Sequence, residues 1–177
     1  MTDLNPDIIA KSKSGDLNAF TLLVEKTQHY AYALALRMLC HHEDANDVVQ
    51  ESFIRVWKNL PRYKSKIKFT TWLYKIVTNL CLDQLKSRKR RGRIFVDNEN
   101  LQDVADDCFV EQNETISHIE KLSEHLTPKQ KIVFVLRDLQ DLEMDEIAKI
   151  TGFTKTVIKS NLYLARLNIR KKLREAI

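Results

Sequence analysis

The chain has 177 residues, 44% of them hydrophobic and 30% charged, a balance that excludes a disordered polymer and suffices for one compact domain or two small ones. Three glycines and three prolines supply too few turn formers for an all-β fold, so helices with short connections are expected. The net charge of +5 is laid out in blocks: 17 Lys/Arg against 9 Asp/Glu in residues 1–93, eight acids and no Lys or Arg in 94–120, and 12 bases against seven acids in 121–177.

In chain order, Asn5-Pro6 predicts an N-cap with proline at the first helical position, and Ser14-Gly15-Asp16 a stop followed by a restart. From Asn18 to Leu39 apolar residues recur at helical spacing (Phe20, Leu23, Val24, Tyr30, Ala33, Leu34, Leu36). A further helix is expected from Glu43 to Leu60, its first turn favoured by Glu43 and Asp44 and its end marked by Pro61. A lysine-rich loop, Arg62 to Ile67, leads into a long helix over Lys68–Arg91. The acidic tract that follows reads as an extended linker over residues 94–113. Thr127-Pro128-Lys129-Gln130 matches a capping box and opens a helix to Leu139; a short helix over Met144–Ile150, the turn Thr151-Gly152-Phe153-Thr154 and a long C-terminal helix complete the chain. The fold class is therefore all-α, two small helical domains (1–93 and 114–177) joined by the acidic linker, with the C-terminal one a helix-turn-helix.

Two basic blocks around an acidic one suit two modules that face a polyanion, joined by a segment repelled from it. In the C-terminal unit, Ile147 and Ala148 are expected to pack on Ile158, Leu162 and Ala165, leaving Thr156, Lys159, Ser160 and Tyr163 on the outer face for base edges and phosphates. An ordinary antiparallel helix pair fits the same pattern.

In the N-terminal unit, Phe69, Leu73, Ile76, Val77 and Leu80 form an apolar stripe, while Trp72, Lys75, Asn79, Asp83 and Lys86 stack along another ridge. A ring to stack on, an amide for a base edge and cations for the backbone are what single-stranded DNA requires, although a tryptophan there also suits simple core packing. The preceding helix buries Ala45, Val48, Val49, Phe53, Val56 and Leu60. Its outward residues Asp47, Gln50, Glu51 and Ile54 make a poor DNA surface and either a protein-docking face or a solvated one.

Other chemistries find little support. Cys40, Cys81 and Cys108 lack zinc spacing, which points to a reducing compartment with no disulfide framework. Adjacent residues such as Cys40-His41-His42 diverge on a helix, so neither a metal nor another cofactor is expected. The five histidines are scattered or lie at element ends, and no acid cluster completes a catalytic set, so no enzymatic activity is expected. With no signal-peptide core and no apolar run near the ~20 residues of a span, a cytoplasmic protein without membrane insertion is expected.

Three ordered blocks, EDANDVVQESFIRVWKNLPRY, KFTTWLYKIVTNLCLDQLKSRKRR and LTPKQKIVFVLRDLQDLEMDEIAKITGFTKTVIKSNLYLARLNIRKKL, resemble bacterial sigma factors of the extracytoplasmic-function group. The resemblance implies a promoter-melting domain, a linker lying in the polymerase active-site and RNA-exit path, and a helix-turn-helix domain reading the upstream element. By position, Asp47, Gln50, Glu51 and Ile54 would dock on core RNA polymerase. Trp72, Lys75 and Asn79, with Tyr63, Lys64 and Lys68 from the loop, would hold the melted downstream element. Lys86, Arg88, Lys89, Arg90 and Arg91 would neutralise phosphates, and Thr156, Lys159, Ser160 and Tyr163 would read duplex promoter DNA. An anti-sigma factor is a further implied partner. The chain departs from the family pattern at Asn161 and Leu164, where arginines are usual, and at Thr156, where glycine is; Val157, Leu164 and Leu167 lie on the side expected to be polar. Fewer cations there imply a weaker salt dependence of duplex binding. The alternative reading is a free-standing helix-turn-helix regulator that binds duplex DNA as a dimer.

Overall fold

The computed structural model describes residues 4–95, 123 and 125–175, and every regular element among them is helical. The expected linker, 94–113, lies almost wholly outside the described residues. Helix α1 (Pro6–Lys13) starts at Asn5, whose side chain accepts from the Asp7 amide at 2.9 Å, with Pro6 in the first turn. Gly15 then adopts a left-handed φ of 94°, a conformation that glycine enters without steric cost, and Asp16 caps α2 (Leu17–Leu39).

Helix α2 ends at Cys40, which holds φ 50° although it is not a glycine. The run Cys40-His41-His42 is thus a helix junction: His41 Nδ1 accepts the Asp44 amide to cap α3 (His42–Asn59), and His42 Nδ1 lies 2.7 Å from the Tyr32 hydroxyl. The α-helix ends just before Pro61 as expected, and the chain tightens there into a 3₁₀ turn over Leu60–Arg62. Helix α4 (Phe69–Phe95) runs four residues beyond its expected end.

The C-terminal unit begins with the full capping box of Thr127 and Gln130 on α5 (Pro128–Phe134). The helix expected to continue to Leu139 widens there into a π turn over Val135–Leu139. Helix α6 (Met144–Thr151) ends at Gly152, φ 73°, and α7 (Lys155–Glu175) follows. Ile147, Ile158 and Leu162 are buried together as expected, but Ala165 faces α5, in a smaller cluster with Leu126, Phe134 and Ile169. One helical turn separates Leu162 from Ala165, enough to carry α7 from one neighbour to the next.

The two units also pack on each other. A continuous buried cluster runs from Leu34 and Val77 to Ile132, Leu136, Ile147 and Ile158, with α6 lying against α4. Tyr74 is buried for this reason, and Thr78 is buried one turn further on, although periodicity within the N-terminal unit assigns neither to its apolar stripe. Tyr74 Oη donates to Gln140 Oε1 at 3.2 Å, and burial foremost pushes its phenol up to about 12, so it remains a donor at neutral pH. The Leu139 carbonyl, one of those a helix end leaves unpaired, accepts Arg37 at 3.4 Å. Ile76 and Leu80, expected in the core stripe, are only partly buried at its edge.

Arg88 clamps the N-terminal unit. Its guanidinium donates to the Leu39 carbonyl at the end of α2, at 2.9 Å, and to the Asp44 carboxylate at the start of α3. Burial pushes the Asp44 carboxyl up, but Arg88, His41 and Gln84 together outweigh it and leave its pKa below the ordinary value. A carboxylate lowered on folding stabilises the fold above its unfolded-state pKa, and that contribution disappears as pH falls through the folded-state value. Asp44→Asn is therefore expected to cost about 1–2 kcal/mol at neutral pH, a fall of a few degrees in melting temperature. The gap between wild type and variant should shrink below about pH 4; thermal melts across pH 3–7 that show a constant gap would contradict the clamp.

Candidate nucleic-acid interface

The loop between α3 and α4 is held open by aromatic stacking. Tyr63 and Trp72 stack with centroids 4.9 Å apart, and Phe69 meets both edge-on at 5.8–5.9 Å. The Tyr63 hydroxyl donates to the Ile67 carbonyl at 2.5 Å, closing the loop on itself. From outside, Lys13 of α1 donates to the Tyr63 carbonyl at 2.8 Å. Burial raises the Tyr63 phenol above its ordinary pKa, consistent with a neutral donor.

This brace leaves a cavity of about 560 Å³ between the loop, the end of α3 and the first turns of α4. Trp72 and Asn79, singled out by helical spacing, line it together with Tyr63 and Lys64, which the family resemblance implied. Trp72 is half-buried, with its ring between core and cavity, and Asn79 is exposed one helical repeat further along the same ridge. Lys75 is exposed on α4 but does not line the cavity, and Lys68 pairs instead with Glu146 of α6 at 3.7 Å. That pair is largely exposed and contributes little to stability.

Lys66, Ile67 and Ile76 also line it, as do three residues that sequence reasoning missed: Arg55, Asn59 and Arg62. Their spacing of four and three residues carries one helical face into the loop, a signal present in the sequence beside the acidic residues of the same helix. Arg55 has a second contact, since its Nε donates to Glu51 Oε1 at 2.8 Å, and its carbonyl accepts the Asn59 amide at 2.8 Å.

Asp47, Gln50 and Ile54 are exposed on α3, and Glu51 is partly exposed beside them. Ile54 leaves 47% of its surface to solvent in the middle of this acidic face, an apolar contact point rimmed by charge. It sits a quarter-turn from the cavity, so the acidic face and the cationic pocket are adjacent but distinct.

Along α4, Lys86 is exposed and its Nζ approaches Asp83 at 3.4 Å. Arg88, expected on phosphates, is committed to the clamp on Asp44 and Leu39. Its residue type fits DNA, but at its position the guanidinium reaches two helix ends first. The side chains of Lys89, Arg90 and Arg91 lie outside the described residues.

In the C-terminal unit, Thr154 Oγ1 accepts the Val157 amide at 3.4 Å and starts α7. Thr156, Lys159, Ser160 and Tyr163 are all exposed on one face, Tyr163 by 68%. Ser160 donates to the Thr156 carbonyl at 2.9 Å, and Asn161 folds back on the Val157 carbonyl at 2.8 Å. Val157, Leu164 and Leu167 remain exposed large apolar residues on this helix. Among the described residues no group of three or more His, Cys, Asp and Glu is placed to hold a metal, and no helix is long and apolar enough to cross a membrane.

The model of sigma-70 region 2 matches residues 23–91, and the model of sigma-70 region 4 matches residues 118–169. The sigma factor SigW of Bacillus subtilis is 32% identical over 94% of this chain and 95% of its own length. The chain belongs to the ECF sigma factors. Another similar relative is the sigma-E factor of Haemophilus influenzae, 29% identical over 94% of this chain and 93% of its own. In fold, the sigma factor superimposes on RpoE of Bartonella quintana, solved with the anti-sigma factor NepR, at a TM-score of 0.74 and 20% identity, covering 89% of this chain and 98% of that one. Sigma factors are the promoter-specificity subunits of bacterial RNA polymerase.

The loop brace is open to test on its own. Tyr63→Phe removes the donor to Ile67 while keeping the stacked ring, and should cost about 1 kcal/mol and 2–4 °C in melting temperature. Trp72 fluorescence should report greater solvent access; an unchanged melt and spectrum would mean that the hydroxyl does not hold the loop.

Proposed function

We propose that this sigma factor docks on core RNA polymerase through Asp47, Gln50, Glu51 and Ile54 and holds the melted downstream promoter element in the cavity beside Trp72 and Asn79. The observation that supports this most is the segregation of surfaces. An acidic face with an apolar centre on α3 repels DNA and fits a protein. The adjoining pocket instead combines rings, amides and cations from Arg55, Asn59, Arg62 and Lys64.

A base leaving the duplex meets Trp72 and Tyr63 as a platform, Asn79 as a reader of its edge, and Lys64 with Arg62 as counter-charges to its phosphates. Lys75 and Lys86 extend the cationic ridge along α4, and Lys89, Arg90 and Arg91 carry it further in sequence. Lys68 is free to join this set once the C-terminal unit moves away from α4. Thr156, Lys159, Ser160 and Tyr163 read the upstream element from the major groove, where hydroxyls, a cation and a ring contact base edges and phosphates.

The exposed Val157, Leu164 and Leu167 fit a protein cover better than they fit DNA, which supports an anti-sigma factor as a further partner. On this reading the sigma factor works in the cytoplasm beside the polymerase and performs no catalytic step of its own.

Paired substitutions separate the two surfaces. Asn79→Ala should lower open-complex formation about tenfold, the scale of one lost base contact, with core binding unchanged. Glu51→Lys should instead weaken core binding about tenfold by placing a cation in the acidic face. Run-off transcription with a core pull-down reads both, and the opposite pattern would reverse the assigned roles.

A further inference from the structure

Where the two helical units meet, one contact has chemistry that none of the promoter or polymerase roles uses. Lys131 is 5% exposed, and its Nζ lies 3.3 Å from Cys40 Sγ, its one hydrogen-bond partner among the described residues. A buried ammonium facing a thiol is poorly compensated, since thiol sulfur is a weak acceptor. Cys40 belongs to the end of α2 and Lys131 to the first turns of α5, so the pair spans the two units. Both backbones are fixed: the left-handed turn at Cys40 sets the direction of its thiol, and the capping box at Thr127 sets α5.

We propose that Cys40 is an oxidant-sensitive modification site at which hydrogen peroxide drives formation of an S–N bond to Lys131, joining the two units covalently. In the first step the Cys40 sulfur attacks one peroxide oxygen, the O–O bond breaks, and Cys40 becomes a sulfenic acid with release of one water. In the second, Lys131 gives up its ammonium proton to solvent, its nitrogen attacks that sulfur, the S–O bond breaks, and the departing hydroxide takes a remaining N–H proton and leaves as water. The chain loses two hydrogens overall, and peroxide is the oxidant consumed. A separation of 3.3 Å lies within the range of about 3–3.5 Å that defines a near-attack arrangement of two reacting atoms. Reversal needs two thiol equivalents, the first to attack sulfur and release the amine, the second to free Cys40 as a mixed disulfide is resolved.

Cys81 is not the reactive thiol. It is fully buried, and that burial pushes its thiol up to about 12 despite the charges of Lys131 and Arg88, leaving the thiol form that oxidants attack poorly. Cys40 retains 7% exposure, enough contact with the surface for a small oxidant.

The consequence for transcription rests on the promoter reading above. A covalent tie holds α6 against α4 and Lys68 beside Glu146, so the upstream and downstream DNA surfaces can no longer separate to span a two-part promoter.

The full-length chain is treated with hydrogen peroxide and examined by intact mass and peptide mapping. The expected product is lighter by two hydrogens, yields a peptide pair joined through Cys40 and Lys131, and reverts with dithiothreitol. Cys40→Ser and Lys131→Arg should each abolish it; Lys131→Arg retains the cation, and circular dichroism confirms its fold. Accumulation of oxygens on Cys40 without a link would overturn the proposal, as would a two-hydrogen loss that persists in Lys131→Arg and so reports a disulfide. In run-off transcription the linked chain should fall silent and recover with dithiothreitol. A linked chain that still transcribes would overturn the regulatory consequence, whereas an untreated chain that never transcribes counts against the promoter reading instead.

Discussion

One helix serves three surfaces, and the rest of the molecule is arranged around that constraint. Helix α4 buries Phe69, Leu73, Val77 and Cys81 in the N-terminal core and turns Tyr74 toward the C-terminal unit. It leaves Lys75 and Asn79 to solvent beside Trp72. At 100° per residue each surface takes about a third of the circumference, so no side of this helix is idle. A polar ridge can persist on a helix this deeply packed because the other two sides supply the burial that holds it in place.

The same economy appears at the helix ends. Arg88 and Arg37 each donate to a carbonyl that a terminating helix leaves unpaired, at Leu39 and Leu139 respectively. One tie stays within the N-terminal unit and the other crosses to the C-terminal one. The crossing surface is apolar but imperfect: Gln140, which meets Tyr74 there, has its Nε2 buried with no hydrogen-bond partner among the described residues, as has Thr78 Oγ1 on α4. Such atoms each cost on the order of 1–3 kcal/mol, so they weaken the contact they sit in. The Cys40–Lys131 contact adds a buried cation to the same surface.

Much of this was legible in the sequence because it depends on local rules. The caps at Asn5, Asp16 and Thr127, the glycine turn at Gly152 and the ridge from Trp72 to Lys86 follow from residue type and helical spacing. What escaped depends on contacts distant in the chain. The burial of Tyr74 requires a helix some seventy residues away. The diversion of Arg88 from phosphate to Asp44 requires two helix ends to meet beside it. The left-handed Cys40 was hidden because position C-terminal to a helix normally calls for glycine, and the π turn because a continuous helical pattern does not reveal where a turn widens.

The division of labour between α3 and α4 is most directly tested by hydrogen exchange on the sigma factor alone, with core RNA polymerase, and with core plus a pre-melted promoter. Core alone should slow exchange over residues 47–54, and protection over residues 63–79 should appear only when the melted strand is added. Protection of residues 63–79 by core without DNA, or of residues 47–54 by DNA without core, would contradict the separation of the two surfaces.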